Sequence, residues 1–466
     1  MTTAVARLAA LAAAQPDALA LGDGERWWTR REVLARVEAL AAGAPDPCDD
    51  AGDPADAARD REDADDRSVV VARHCSARGI VAVLAAERTG RVPVVTDAAW
   101  PAADRRDLRA AVRARRAASG EPLLTVLTSG STGRPRAVVR TAASWAASLR
   151  SFDVVTGVRD GDVVWAPGPL SSTLTLFAGW HAVATGRPLV TGRWRGVAAT
   201  PRAGEATVVH AVPAVVADVL TAAAAGDLPR LRLAVVAGAH VPAGLREQAR
   251  LAGVRLVEYY GAAELSFVAA DTDGRGLRPF PGCRVELRDA HGGQVPAWTE
   301  GEVWVGSPYL AQGYLTAGGP DGGSDGGPGN GPLRRDGGWA SVGDRARMRP
   351  DGALEVIGRG EAAVEVGGHT VPVDDVEAVL RAVPGVLEVA CVGERHAHLG
   401  NRLVAAVRAV PGTDPVPQLK AAARASLPRA ARPSRWVLLD DMPRTSGGKL
   451  ARGRLAELVV RDPQGG

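Results

Sequence analysis

A run of small hydroxyl and glycine residues directly follows an apolar segment in "LLTVLTSGSTGRPRAVVRT" (123–141). Its members are Thr128, Ser129, Gly130, Ser131, Thr132 and Gly133. Glycines let backbone N–H groups converge on an anion, and hydroxyls add donors for phosphate oxygens. The run is not the G-x-x-x-x-G-K-[ST] loop, because no lysine follows the second glycine. It predicts a phosphate-binding loop, with a flexible polar hairpin as the alternative.

A second chemical feature is the scarcity of lysine. Lys420 and Lys449 are the only lysines in a chain with 56 basic side chains, so nearly every cation is an arginine. Arginine presents a rigid fork, whereas lysine places a compact point charge on a flexible stem. Lys449 lies in "PRTSGGKLARGRL" (443–455), where the residue type alone favours a solvated turn. Lys420 is predicted to be a solvated helix residue.

Alternating elements must position these residues. Short β-branched runs such as "VPVVTD", "TVVHAVP" and "LRLAVVAG" are interleaved with Ala/Leu-rich helical stretches such as "GIVAVLAAERTG". This order predicts an α/β fold with largely parallel sheets. From about Gly282 onward, alternating strands separated by glycine-rich turns predict a small antiparallel β unit. We expect two domains, a large N-terminal one over 1–358 and a small α+β C-terminal one over 359–466.

Composition favours small-molecule chemistry. The 466 residues carry a net charge of +3, which provides no extensive basic face for nucleic acid or an anionic membrane. The N-terminal "MTTAVARLAALAAAQPDALALGDG" reads as an amphipathic helix rather than a signal peptide, and no apolar stretch is long enough to predict membrane insertion. The scattered cysteines predict reduced thiols, no zinc site and a cytoplasmic location; they are Cys48, Cys75, Cys283 and Cys391.

Further motifs follow the loop in a fixed order. They are "YYGAAE" (259–264), "GWASVGD" (338–344), "IGRGEAAVEVGGHTVPVDDVEAVL" from Ile357 and "PRTSGGKLARGRL" from Pro443. Together with the loop they resemble the motifs of the adenylate-forming superfamily of AMP-dependent synthetases and ligases. That superfamily includes acyl-CoA synthetases, the adenylation domains of peptide synthetases and firefly luciferase. The resemblance covers nearly the whole chain.

The resemblance implies roles for individual residues. Glu264 resembles the carboxylate that holds Mg²⁺ beside the ATP phosphates, a task suited to a hard oxygen ligand. Asp344 and Arg359 resemble the ribose-contacting pair, and Glu361 stands at the hinge between the domains. Lys449 resembles the mobile lysine that contacts the substrate carboxylate and the α-phosphate. The remaining nucleotide contacts implied by the resemblance are the loop residues, Arg136, Gly238, Ala239, Tyr260, Gly261, Ala262 and Ala263.

Several positions depart from the pattern. Arg136 replaces a lysine of the phosphate loop, Ala263 replaces a threonine, and Glu365 replaces a lysine beyond the hinge. Ser171 stands where many acyl-CoA synthetases have an active-site histidine. A substrate pocket is predicted around Ser171, Leu174, Trp180, His181 and His210, although the last three could equally fill the core.

The leading hypothesis is an ATP- and Mg²⁺-dependent, AMP-forming ligase that adenylates a small carboxylic acid and passes it to a thiol. Coenzyme A is the expected acceptor, and the phosphopantetheine of an acyl carrier protein is the alternative. The same chemistry would also allow nitrite activation for diazotisation of an aromatic amine. A different class, a degenerate nucleotide-binding regulator without turnover, is the second alternative.

Overall fold

The fold is taken from a computed structural model of the chain. It describes residues 3–24, 26–43, 69–71, 76–96, 123–128, 136–192, 194, 196, 200, 202–239, 241–315, 333–359, 363–366, 369–396, 400–444 and 450–461. Within these ranges the α-helices are α1 (Ala4–Ala14), α2 (Arg30–Ala41), α3 (Ala77–Arg88), α4 (Ala142–Ala146), α5 (Leu149–Thr156), α6 (Thr173–Thr185), α7 (Pro213–Ala224), α8 (Ala243–Leu251), α9 (Val373–Arg381), α10 (Val416–Ser426) and α11 (Arg452–Arg461).

The strands of the first half are short. They are β1 (Leu19–Gly22), β2 (Trp27–Thr29), β3 (Val69–Val71), β4 (Val94–Thr96), β5 (Leu123–Thr128), β6 (Arg136–Thr141), β7 (Val164–Trp165), β8 (Leu189–Val190), β9 (Val208–Ala211), β10 (Leu233–Val236), β11 (Arg255–Ala262), β12 (Ser266–Asp271) and β13 (Arg278–Pro279).

The remaining strands range from two to eleven residues in length. They are β14 (Arg284–Arg288), β15 (Glu300–Gly306), β16 (Gly313–Tyr314), β17 (Arg334–Asp336), β18 (Trp339–Ser341), β19 (Asp344–Met348), β20 (Leu354–Arg359), β21 (Ala363–Val366), β22 (His369–Pro372), β23 (Val386–His396), β24 (Gly400–Ala409) and β25 (Arg435–Leu438).

A nine-stranded sheet forms the centre of the N-terminal part, in the order β13-β12-β11-β10-β9-β7-β8-β1-β2. The strands from β11 to β1 in this order pair in parallel, which confirms the predicted α/β fold. Its two ends, at β12–β13 and at β2, pair antiparallel. Apolar clusters cover both faces, because neighbouring strand residues point to opposite sides: Val208 packs into one cluster and Val209 into the other.

In the sequence, the predicted phosphate-binding loop lies at the junction of β5 and β6. These strands form an antiparallel hairpin rather than a parallel unit, and β16 adds to its free edge through Val138 and Tyr314. β16 comes from far along the chain, so this three-stranded sheet brings residues near 140 and 314 together. The structure thereby places the end of β6 beside a segment that no local sequence pattern connects to it.

The antiparallel unit predicted after Gly282 is a six-stranded sheet in the order β17-β18-β15-β19-β20, with β14 pairing to β15. Beyond it, β21 to β25 form a five-stranded sheet, covered by the apolar residues of α9, α10 and α11. Arg359, the first residue of the proposed C-terminal domain, pairs with Asp344 as the last residue of β20. The boundary at 358/359 stays a prediction.

Two further expectations concern helices. Within the N-terminal stretch, α1 covers Ala4–Ala14 and β1 follows it; α1 buries Val5, Leu8 and Ala12 on one side, as an amphipathic helix should. Lys420 is exposed on α10, as predicted. Across the described ranges, no helix has the length and apolar character needed to cross a membrane.

Candidate active site

The turn between β11 and β12 carries the "YYGAAE" motif. The register of pairing between β11 and β12 shifts between Tyr260 and Gly261, so the ladder is irregular at this point. A Cβ atom on Gly261 would lie 1.9 Å from the backbone oxygen of Ser266, and Ser266 itself has a positive φ of 59°. Only glycine tolerates such a close backbone approach. The motif therefore needs glycine here for a steric reason.

Asp344 is held beside this turn. The Tyr260 hydroxyl donates a hydrogen bond of 2.6 Å to Asp344 Oδ2, and the carboxylate is largely buried. Asp344 also pairs with Arg359 across β19 and β20. Three residues that the sequence analysis assigned to nucleotide binding are thus brought together by two different sheets. A fixed carboxylate at this place suits the recognition of paired hydroxyls.

Glu264 ends the motif and is 1% exposed. Its Oε1 accepts a hydrogen bond of 2.7 Å from the Tyr314 hydroxyl, which β16 delivers. Its Oε2 has no hydrogen-bond partner among the residues that the structure describes. A buried carboxylate with one free oxygen fits a hard cation such as Mg²⁺, which prefers oxygen ligands. The residue therefore fits the metal-binding role that the resemblance implies.

Arg140 lies close to Glu264 and is fully buried on β6. Its guanidinium donates to Ser266 Oγ at 2.6 Å and to the backbone oxygen of Tyr309 at 2.7 Å. Burial lowers the pKa of Arg140 to about 9, and the negative charge of Glu264 opposes this shift. The cation therefore supports the turn that carries Glu264, and its charge stabilises that carboxylate.

Arg140 and Tyr314 were both missed by the sequence analysis. The signal for Arg140 was a single charged residue within the otherwise apolar run "AVVR", which should have prompted a search for a partner. Tyr314 gave no local signal, because its contact with Glu264 depends on the pairing of β16 with β6.

Gly238 and Ala239, which are predicted nucleotide contacts, follow β10. Gly238 has a positive φ of 89°, and both Gly238 and Ala239 are exposed. Gly261 is also exposed, and Ala262 and Ala263 are half-buried. Since β10 and β11 are parallel neighbours, these residues share the carboxyl edge of the central sheet. Ligands of open α/β sheets bind at this edge.

Several predicted residues cannot be placed. Ser129, Gly130, Ser131, Thr132, Gly133, Glu361 and Lys449 lie outside the described residues. For Thr128, Arg136, Arg359 and Glu365 only the backbone is described; Thr128 pairs with Arg136, and Glu365 with Thr370. The roles of all these residues stay predictions.

The predicted substrate-pocket residues separate into two groups along α6. Trp180 faces α3, where its indole nitrogen donates to Glu87 Oε1 at 2.9 Å. Burial raises the pKa of Glu87. Ser171 is buried just before α6, and Leu174 is partly exposed in its first turn. His181 points away from Trp180, because consecutive helix residues lie about 100° apart around the axis.

His181 and His210 lie together on the other side of α6. His181 Nε2 is 2.8 Å from Asp153 Oδ1, and Arg187 donates to the second oxygen of Asp153 at 2.9 Å. Burial lowers the pKa of His181, and burial together with the nearby His181 lowers the pKa of His210 to about 3. Both imidazoles are therefore neutral at pH 7.

Comparison with known proteins defines the class. Residues 54–315 match the family model described as AMP-binding enzyme, and residues 375–449 match the AMP-binding enzyme C-terminal domain. The chain belongs to the AMP-binding enzyme family, which confirms the resemblance read from the motifs. More particularly, it is an AMP-forming adenylating ligase.

Individual relatives agree with this class. An uncharacterized acyl-CoA ligase of Bacillus subtilis, YhfT, is 27% identical over 74% of this chain and 72% of its own length. Phosphinothricin tripeptide synthetase PhsB of Streptomyces viridochromogenes is 30% identical over 91% of this chain, but that match spans only 36% of the synthetase. ATP-bound MatB from Rhodopseudomonas palustris has the same fold, with a TM-score of 0.80 over 99% of both chains at 21% identity.

Proposed function

We propose that the chain adenylates a small carboxylic acid with ATP and passes the acyl group to a thiol. The observation that carries the proposal is Glu264, a buried carboxylate. One of its oxygens has no hydrogen-bond partner among the described residues, and it lies beside the strand that holds Asp344 through Tyr260. This arrangement supplies one acid for a cation and one for the ribose. Both stand at the carboxyl edge of a parallel sheet, where nucleotides bind in open α/β folds.

In the first half-reaction, a substrate carboxylate oxygen attacks the α-phosphorus of ATP. The bond from that phosphorus to the bridging oxygen of the β-phosphate breaks, and pyrophosphate leaves. A bound Mg²⁺ would be held by Glu264 and would offset phosphate charge. Lys449 is assigned the place between the two anionic reactants, where an ammonium stabilises the transition state more than the separated ground state.

In the second half-reaction, a thiol sulfur attacks the acyl carbonyl carbon and AMP leaves. Rotation of the C-terminal domain about a hinge at Glu361 would withdraw Lys449 and let a pantetheine thiol reach the acyl-adenylate. Coenzyme A is the proposed thiol donor. A carrier-protein phosphopantetheine is the second candidate, which the similarity to a peptide synthetase such as PhsB supports.

Pyrophosphate exchange tests the first half-reaction. Lys449→Ala should slow exchange by roughly 10²-fold, as expected for the loss of a principal transition-state donor. Lys420→Ala is the matched control, since it removes the other lysine from an exposed helix position, and it should leave exchange unchanged. Exchange that survives Lys449→Ala at the original rate would remove the lysine from the mechanism.

The acceptor and the acid class require a separate assay. AMP release should depend on a carboxylic acid and rise on addition of coenzyme A or of a phosphopantetheinylated carrier protein. Nitrite belongs in the same panel, because AMP release with nitrite and no carboxylate would redirect the proposal toward diazotisation. ATP binding without AMP release from any acid or nitrite would contradict the proposed function.

A further inference from the structure

The chain's few phenylalanines are all in one place. The sequence holds four of them, and the structure packs them into one aromatic cluster with a tyrosine: Phe152, Phe177, Phe267, Phe280 and Tyr259. Ring centroids within it are 4.8 Å apart for Phe177 and Phe267 and 5.0 Å for Phe152 and Phe177. The remaining core is mostly Ala, Val and Leu, so this concentration marks one side of the central sheet.

His210 lies within this cluster, although its ring carries two polar nitrogens. Its ring stacks on Phe152 at 5.7 Å, its side chain is fully buried, and neither ring nitrogen has a hydrogen-bond partner in the described part of the chain. An orphaned polar group costs stability, and an apolar side chain of similar size would avoid that cost. Packing alone therefore does not explain why a histidine occupies this buried position.

His181 adds a third ring nitrogen that has no hydrogen-bond partner among the described residues. Its Nε2 faces the Asp153 carboxylate, which accepts a hydrogen bond and so places the ring proton on that nitrogen. Its Nδ1 is then an acceptor, and it has no partner among the described residues. Arg187 holds Asp153 from the other side, which fixes this tautomer. The cluster thus offers one N–H donor and two acceptors within aromatic walls.

These groups lie on the edge of the sheet that carries the nucleotide site. His210 is the penultimate residue of β9 and pairs with Val235 of β10, three residues before Gly238. Phe177 and His181 stand one turn apart on α6 and pack on Phe152, the ring that also stacks on His210. An acyl group that reaches His210 from the nucleotide site would contact these rings, which are at most 2% exposed.

We propose that the acid adenylated by this ligase is aromatic and carries a neutral hydrogen-bonding substituent, a hydroxyl or an amino group, and that His210 binds this substituent. The proposal rests on the proposed function, and it names the substrate class of the same site. The aromatic cluster supplies offset and edge contacts for a planar ring. A hydroxyl or amino group can donate to an imidazole nitrogen and accept from an N–H, as the unsatisfied groups require.

The charges of the side chains around His210 narrow the proposed substrate class further. His210 and His181 are both neutral at pH 7, because burial lowers the pKa of each. Arg187, the cation beside them, is already paired with Asp153. A second carboxylate on the substrate would therefore be buried without a counter-charge, which is strongly unfavourable. Dicarboxylic acids should be poor substrates.

Pyrophosphate exchange with a panel of acids tests the proposal. The panel contains benzoate, the hydroxybenzoates and aminobenzoates, phthalate, and aliphatic acids from acetate to octanoate. The intact chain should prefer the best hydroxy- or aminobenzoate over benzoate by about tenfold or more in kcat/KM, the scale of one hydrogen bond. His210→Leu should reduce this preference to within about threefold, while exchange with benzoate persists.

Two control variants test whether His210→Leu changes the preference only by disturbing the fold. His210→Gln keeps a donor and an acceptor and should retain part of the preference. Val208→Ala lies on the same face of the same strand, so it perturbs packing but should leave the preference unchanged. A preference that survives His210→Leu overturns the proposal, and so does an intact chain that favours aliphatic or dicarboxylic acids. If no acid in the panel supported exchange, that result would instead contradict the proposed function.

Discussion

Replacing His210 with leucine should make the protein more resistant to acid. Burial and the neighbouring His181 lower the pKa of His210 from an ordinary value of 6.5 to about 3. Between these two pKa values the unfolded chain binds a proton at this side chain and the folded chain does not. Because the unfolded state gains the proton, the free energy of unfolding falls as the pH falls from 6.5 toward 3.

The size of the effect follows from the two pKa values. Between pH 7.5 and pH 4.5 the free energy of unfolding should fall by about 3 kcal/mol from this side chain, since each pH unit below 6.5 changes it by roughly 1.4 kcal/mol. His210→Leu removes this contribution. It also removes two buried nitrogens that have no hydrogen-bond partner among the described residues, so stability at pH 7.5 should be unchanged or increased. The contribution of His181 stays in both proteins and cancels in the comparison.

Urea unfolding at pH 7.5, 5.5 and 4.5, followed by tryptophan fluorescence, measures the difference. Trp145 and Trp180 belong to the same core cluster as the rings around His210, so they report on the relevant region. Val208→Ala is the control, and it should lower stability by a similar amount at every pH because it changes no titrating group. Parallel pH profiles for the intact chain and His210→Leu would refute the reasoning.

Two further predictions concern the nucleotide site. Gly261→Ala should distort the turn, because its Cβ would lie 1.9 Å from the Ser266 backbone oxygen. We expect the midpoint of thermal unfolding to fall by several degrees and ATP binding to be lost. An unchanged midpoint would contradict the close approach. Tyr314→Phe removes the hydroxyl bound to Glu264, so the Mg²⁺ concentration for half-maximal exchange should rise by roughly tenfold, equivalent to one hydrogen bond to a charged group. An unaltered Mg²⁺ requirement would separate Tyr314 from the site.

The parts of the fold that could be predicted from the sequence are those with local signals. Strand alternation and apolar runs located β9, β10 and β11, and the motif order located Gly261, Glu264 and Asp344. The hydrogen bond between Tyr260 and Asp344 joins residues that both lie in recognised motifs. It could have been anticipated, whereas the antiparallel pairing of β5 with β6 required the structure.

The rest could not be predicted because it depends on contacts between distant segments. Arg140 reaches Ser266 across 126 positions, and Tyr314 reaches Glu264 across 50. Helical periodicity would have helped with Trp180 and His181, since adjacent residues on α6 cannot face the same neighbours. The unsatisfied nitrogens of His210 are visible only when its whole surroundings are known.

Glu264 and Asp344 share a feature that bears on how the site works. Each accepts a hydrogen bond from a tyrosine hydroxyl, Tyr314 in one case and Tyr260 in the other. For Glu264, no salt bridge to an arginine is found among the described residues, whereas Asp162 contacts Arg232 directly. A neutral hydroxyl orients a carboxylate without cancelling its charge, whereas a direct arginine contact would weaken its attraction for a cation.

Arg140 completes this arrangement for Glu264. Its two terminal nitrogens donate to Ser266 and to the Tyr309 backbone, so Arg140 stabilises the charge of Glu264 electrostatically rather than by hydrogen bonding to its oxygens. In this arrangement Glu264 Oε2 has no hydrogen-bond partner among the described residues, although the side chain is buried. These contacts with Ser266 and Tyr309, together with the nearby charge of Glu264, explain why a charged side chain is tolerated at this buried position of β6.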